Sequence, residues 1–297
     1  MNRIQQTNRR KCIITLLFSA AVVICVCVGV VMNLTTIYDE NFDHMGIRTF
    51  CMFTVNSNIL MGIAMFLAIP YAIDGLRRQY FRLPDWLVTA LFVTTTALSL
   101  TFLISLCVLA PVKGFVLIFT GSRFFLHGLC PILAIFTFCF VLKDLRLSRK
   151  STLLCLIPVF LYACVYFTLV RLVGENRGGW SDFYGFLTRI PAWISLSAFL
   201  PLTYGIAFVL RILHNASRER YRKKARANYL DAYDKDNLKD VVIHMAAINS
   251  LRDTTGNIVI PYNVLRMLLN SDEDESRFEE YCILYMKECL KHEIAQE

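Results

Sequence analysis

The sequence predicts an all-α protein, a six-helix transmembrane bundle followed by a small, mostly helical cytoplasmic C-terminal segment. Three observations carry the prediction. Hydrophobic residues fill 56% of the 297 positions and charged residues 18%, far from the balance of a soluble domain. Apolar runs long enough to cross roughly 30 Å of hydrocarbon occur six times. The spacers between them are short and contain most of the charge, as expected of helices that satisfy their own backbone and leave only the turns to water.

The first run, Cys12 to Met32, is about twice the length of a signal-peptide core, and no small-residue cleavage site follows it, so it reads as an anchor. The second, Thr49 to Ile73, is apolar except for a cluster within "FTVNSNILMG". The third is Trp86 to Leu109, and the fourth, Arg123 to Leu142, contains a histidine. The fifth is Thr152 to Val173 and the sixth Ile190 to Leu213; Pro158 and Pro201 are candidates to kink them.

Lysine and arginine set the orientation, since positively charged loops stay on the cytoplasmic side. Arg9, Arg10 and Lys11 precede the first run, Arg77, Arg78 and Arg82 follow the second, and Lys143, Arg146, Arg149 and Lys150 follow the fourth. A cluster from Arg218 to Arg226 follows the sixth, whereas Asp39, Glu40, Asp43, Glu175 and Asp182 fall in the alternate loops. The expectation is a multi-pass protein of the cell membrane with both termini cytoplasmic. The net charge of +8 then meets anionic inner-leaflet lipid rather than nucleic acid. Eleven cysteines suggest a framework, but they are scattered through apolar runs without the C-x-x-C spacing of a metal site, and Cys25 and Cys27 point to different helix faces. No metal and no cofactor are expected.

Residues 1–214 make the transmembrane domain and 215–297 the cytoplasmic segment. In the latter Leu238, Val241, Val242, Met245, Ile248 and Leu251 recur at helical spacing, and Ser271 with Asp272, Glu273 and Asp274 reads as a helix start. So few buried positions in about eighty residues suit docking on the bundle or on a cytoplasmic protein partner.

Polar groups inside the bilayer direct attention to function. Thr54 and Asn58 are four residues apart and stack on one helix face, flanked by Ser57, while Asn56 points elsewhere. Such residues commonly bond their own helix or a neighbouring one. His127 is the histidine that falls inside a predicted span; His44 is external, and His214, His244 and His292 are read as cytoplasmic. An ionisable group in hydrocarbon is a functional candidate with a partner to be named. The second and fourth spans run in the same direction. Thr54 lies about five residues and His127 about four residues into its span, or roughly 6 to 8 Å from the outer end at 1.5 Å per residue. A hydroxyl beside an imidazole at matched depth is the minimum arrangement for nucleophilic acyl transfer, with Asn56 or Asn58 as oxyanion donors. No acid lies at that depth to orient the histidine. Cys130, one turn below His127, is the competing nucleophile; neighbours on one helix are poorly placed for transfer, and a buried thiol is usually inert.

"FTVNSNILMG" in the second span, "HGLCPIL" in the fourth and "GGWSDFYGFL" before the sixth together resemble the androgen-induced family of six-span membrane proteins and its bacterial relatives, over about residues 48–214. The resemblance implies a threonine hydrolase acting on fatty acyl esters, with the required threonine at Thr54 and the histidine at His127. It departs in Tyr184-Gly185-Phe186-Leu187-Thr188, where the family tends to have a proline and an acid, which implies a different loop on the substrate side. Trp180, Tyr184, Arg189 and Trp193 suit an interface position, as anchors or substrate contacts. The rival expectation is a non-enzymatic lipid or solute carrier whose polar stripe is structural.

Overall fold

A computed structural model describes residues 3–35, 46–78, 83–143, 145–184 and 192–231, and among these every regular element is helical. Six helices are long and apolar enough to cross a membrane: span 1, Arg9–Thr35; span 2, Phe53–Arg77; span 3, Asp85–Lys113; span 4, Gly121–Val141; span 5, Arg149–Val173; and span 6, Ser197–Tyr221. The chain is a multi-pass membrane protein. It divides into two compact units, one of residues 8–218 and one joining residues 1–7 to 219–297. The predicted helices after residue 231 lie outside the described residues.

Span 3 is the most buried of the six, its apolar window 61% buried against 17% for span 5, and it packs mainly on spans 2 and 4. Phe92, Leu87, Leu91 and Leu98 of span 3 meet Met61 and Met65 of span 2 and Phe138 of span 4 at full burial, with Phe92 and Phe138 stacked at 5.5 Å. Span 3 also carries a run of hydroxyls. Thr94, Thr96 and Thr101 donate to the carbonyls of Ala90, Phe92 and Ala97 at 2.9, 2.9 and 3.0 Å, so the helix satisfies these three itself, while Thr95 Oγ1 between them is buried without a partner among the described residues. The large apolar side chains left outside, among them Leu17, Ile24, Phe66 and Leu161, are the surface that lipid covers.

Two boundaries differ from expectation. Span 2 begins at Phe53 rather than Thr49, because Gly46–Cys51 forms a 3₁₀ turn and Met52 closes it by donating to the Thr49 carbonyl at 3.2 Å. The last helix runs on from Ala192 to Asp231, past the predicted end at Leu213. Arginine, lysine, glutamate and alanine are strong helix formers, so the charge that ends an apolar run does not end the helix.

His214, read from the sequence as lying past the last span on the cytoplasmic side, is fully buried on span 6. Its ring nitrogens lie 2.9 Å from the carbonyls of Phe138 and Leu145, and the ring stacks on Phe138. The adjacent Asn215 donates to the Leu147 carbonyl and accepts from the Leu147 N–H, both at 3.0 Å. Together they supply partners for the backbone of Leu145 and Leu147, both buried.

Among the described residues four short π-helical turns lie within the spans, and two of them are followed, after one residue, by a proline. Ser105–Leu109 leads into Ala110-Pro111, and Phe124–Leu129 leads into Cys130-Pro131. Proline has no N–H and its ring crowds the carbonyl four residues back, so the preceding turn loosens to an i→i−5 pattern. Accordingly the N–H of Ala110 bonds to the Ser105 carbonyl, and that of Cys130 to the Phe125 carbonyl.

Candidate functional site

Leu126 loses its helical partner through this change. In an α-helix the Cys130 N–H would bond to its carbonyl, and in a continued π-turn residue 131 would do so. Cys130 is committed to Phe125, and residue 131 is proline. Asn58 of span 2 takes the vacant place, its Nδ2 donating to the Leu126 carbonyl at 3.0 Å. The second proton of the same amide goes to the Thr54 carbonyl, one turn back on its own helix, at 2.8 Å. The Thr54 and Leu126 carbonyl oxygens therefore lie less than about 6 Å apart, the most that bonds of 2.8 and 3.0 Å to one nitrogen allow. Asn58 is fully buried, and its Oδ1 has no hydrogen-bond partner among the described residues.

Thr54 is buried at the second position of its helix, and Ser57 donates to its carbonyl at 3.0 Å. His127, on the π-turn next to Leu126, is half-buried. Its Nδ1 is hydrogen-bonded to Ser105 Oγ, at the start of the π-turn of span 3. Neither Thr54 Oγ1 nor His127 Nε2 makes a hydrogen bond with another described residue. Counted from the helix starts, Thr54 is the second residue of span 2 and His127 the seventh of span 4. The amide of Asn58 links the Thr54 carbonyl to that of Leu126, the neighbour of His127.

The two asparagines are used differently. Asn56 donates to the Phe50 carbonyl at 2.9 Å, closing the 3₁₀ turn onto the helix start, and keeps one N–H in reserve. Asn58 has spent both of its donors on carbonyls. Cys130 is fully buried against Cys25, while Cys27 is exposed, in keeping with different faces for the two span 1 cysteines.

The beginning of span 2 is held by aromatic hydroxyls. Helix starts leave N–H groups without intrahelical acceptors. The Phe53 N–H donates to Tyr184 Oη at 3.1 Å, and Tyr162 of span 5 donates to the Cys51 carbonyl at 2.7 Å. Tyr166 donates to Asp182 Oδ1 at 2.6 Å and accepts from the Tyr184 N–H at 3.1 Å. Rings of Tyr162, Tyr166, Trp180, Phe183 and Tyr184 pack on one another, so this loop clamps the start of span 2. Desolvation pushes the Tyr184 phenol up to about 12, against the opposing effects of its bonds to the Phe53 N–H and Tyr162. The loop can fold this tightly because Gly178 has φ +82° and a Cβ on Gly179 would sit 2.8 Å from the Gly174 carbonyl. Arg189 and the Trp193 side chain lie outside the described residues.

The chain matches no protein family, no curated protein and no solved structure.

Sequence reasoning missed Ser105, Tyr162 and the buried role of His214. A usable signal existed for Ser105. The strings "SLCVLAP" and "FFLHGLCP" each end in a proline that loosens the turn before it, and each turn presents one polar side chain, Ser105 or His127. Nothing in the sequence separates Tyr162 from an ordinary span 5 aromatic, since its partner is a backbone carbonyl 111 positions away.

Proposed function

We propose that the protein is an integral-membrane hydrolase that cleaves a lipid ester, fatty acyl on its acid side, with Thr54 as nucleophile and His127 as general base. The supporting observation is the single amide of Asn58, which bonds both the Thr54 carbonyl and the turn carrying His127. Half-burial of the imidazole and the absence of a partner on Nε2 leave that nitrogen open to a reacting hydroxyl. The resemblance to the androgen-induced family points the same way.

The chemistry runs in two halves. As Thr54 Oγ attacks the ester carbonyl carbon, its proton passes to His127 Nε2. Collapse of the tetrahedral intermediate breaks the bond to the alcohol oxygen, which leaves with the proton from His127. Water then attacks the acyl-threonine, giving a proton to the same nitrogen. The carboxylic acid departs, and Thr54 regains its hydrogen. Thr54 lies in the first turn of span 2, where the helix dipole favours a developing negative charge, although the Phe53 and Asn56 N–H groups are already taken by Tyr184 Oη and the Met52 carbonyl. That end of the helix, with the remaining N–H of Asn56, is the proposed oxyanion site, since Asn58 has no donor to spare.

The lysine and arginine distribution supports a place in the cell membrane with both termini cytoplasmic, so a lipid ester reaches Thr54 from the outer leaflet. A cytoplasmic protein partner for residues 215–297 belongs to the same reading. The rival, a lipid or solute carrier, draws support from the internal use of the polar stripe, Ser57 and Asn58 both bonding within the bundle.

Labelling of detergent-extracted protein with a long-chain fluorophosphonate separates the two. Wild-type protein labels on Thr54, Thr54→Ala and His127→Ala do not, and Cys130→Ala labels normally. Wild-type protein that takes up no ester-mimicking probe, with a Thr54→Ala variant that unfolds in mild detergent, leaves the carrier ahead.

A further inference from the structure

A base that works through Nε2 must carry its proton on Nδ1, and something must keep it there; no carboxylate was expected at this depth, and none is bonded to His127. Resting on the hydrolase reading above, we propose that Ser105 is the positioning residue of the site, its Oγ accepting the His127 Nδ1–H and so fixing both the ring orientation and the tautomer whose Nε2 lone pair takes the proton of Thr54.

The hydrogen bond between Ser105 Oγ and His127 Nδ1 allows two assignments, because a hydroxyl both donates and accepts. If Ser105 donated, the ring proton would sit on Nε2, where no described residue accepts it, and a half-buried N–H would be orphaned. If Ser105 accepts, Nε2 keeps a bare lone pair and the serine O–H is the donor left without an acceptor among the described residues. Each assignment thus orphans one donor, and the hydrolase reading selects Nδ1–H, the tautomer whose Nε2 can take a proton.

The two π-turns explain how two residues from different helices meet at this point. Each turn is enforced by the proline that follows it, and each sets its polar side chain at the facing surfaces of spans 3 and 4. The relation of Ser105 to His127 is that of an orienting group to a base, on the nitrogen opposite to the one that reacts.

Two measurements on the full chain in detergent test the assignment. The first reads the tautomer without reference to activity. In ¹⁵N-histidine-labelled protein, with its five histidines resolved by loss of one signal in His127→Gln, two-bond ¹H–¹⁵N correlations show the Nδ1–H pattern for His127. That pattern is lost or mixed in Ser105→Ala and kept in Ser105→Thr. The second reads kinetics on p-nitrophenyl octanoate. Ser105→Ala lowers kcat by about 10- to 100-fold, the usual effect of removing an orienting partner, with KM changed by less than about two-fold, and Ser105→Thr restores most of it. An Nε2–H pattern in wild-type protein overturns the proposal, and so does a fluorophosphonate adduct mapped by mass spectrometry to Ser105, which would make it the nucleophile. Unchanged kcat in Ser105→Ala overturns it while leaving the hydrolase reading intact. An Nδ1–H pattern in a wild-type protein inert to both probes removes the hydrolase reading and the base with it, leaving only the hydrogen bond.

Discussion

Gly29 allows span 1 to approach span 4 where the candidate base sits, so Gly29→Ala tests the site without touching any reacting group. A Cβ built on Gly29 would lie 2.7 Å from Leu126 Cδ2, 2.8 Å from Leu126 Cγ and 3.3 Å from Phe125 Cβ. Carbon atoms pack best at about 3.5 to 4 Å, so Leu126 or the helix must yield by at least about 0.8 Å. Leu126 is 2% exposed, and a change of rotamer has little space to use. Overpacking of this kind costs about 1–3 kcal/mol. The shift acts on the residue whose carbonyl accepts from Asn58 and whose neighbour is His127. A displacement of about 1 Å at a reacting group can cost about 100-fold in rate, so labelling of Thr54 should slow far more than stability falls. The assay pairs thermal unfolding in detergent with the rate of fluorophosphonate labelling. Gly205→Ala is the control, because nothing lies within 4 Å of a Cβ there. Gly29→Ala protein that melts and labels like wild type would refute the reasoning, as would an equal loss in Gly205→Ala.

Asn58→Leu removes one bond within span 2 and one interhelical bond, the latter worth about 0.6 kcal/mol, whereas Asn58→Asp, which sets acceptors against the Thr54 and Leu126 carbonyls, should be worse; thermal melts of both variants decide the order. The folded-state value for Tyr184 is raised, about 12 against 10.0, so its contribution is complete below pH 10 and lost as pH rises through 12; the stability advantage of wild type over Tyr184→Phe should be flat to pH 10 and vanish by about pH 12 in pH-dependent melts. Cysteine-accessibility labelling should place Asp43 and Asp182 outside and the arginines from Arg218 onward inside, and an exposed external C-terminus would reverse the route proposed for the substrate.

The six spans were legible because length and hydropathy are local quantities, and the boundaries moved where another local rule intervened. At Phe53 a 3₁₀ turn shortened the second span, and after Leu213 good helix formers carried the last helix on to Asp231. The pairing of Thr54 with His127 was reached by counting residues from span ends, and the shifted start of span 2 removes that count as an argument. The link between them is an amide answering a backbone vacancy, which required knowing that Pro131 lies one residue beyond a π-turn. Pro131 was quoted in the sequence motif, but its effect on Leu126 depends on the choice between i→i−4 and i→i−5 bonding, and composition does not show that choice. The role of His214 was hidden for a similar reason, since its ring nitrogens face main-chain carbonyls, one in span 4 and one in the segment after it that reads as an ordinary basic loop.

The bare carbonyl at Leu126 also matters for how the protein is made. When span 4 first enters the bilayer it carries an acceptor that its own helix cannot answer, and hydrocarbon offers nothing in exchange. The debt is discharged only when a helix bearing an amide arrives at the correct height and rotation, and Asn58 of span 2 meets both conditions. A helix shifted by one turn, or a different neighbour, would leave the vacancy open in lipid. Pro131 thus serves as a proofreading mark for assembly, favouring the one arrangement of spans 2 and 4 in which Asn58 reaches the Leu126 carbonyl.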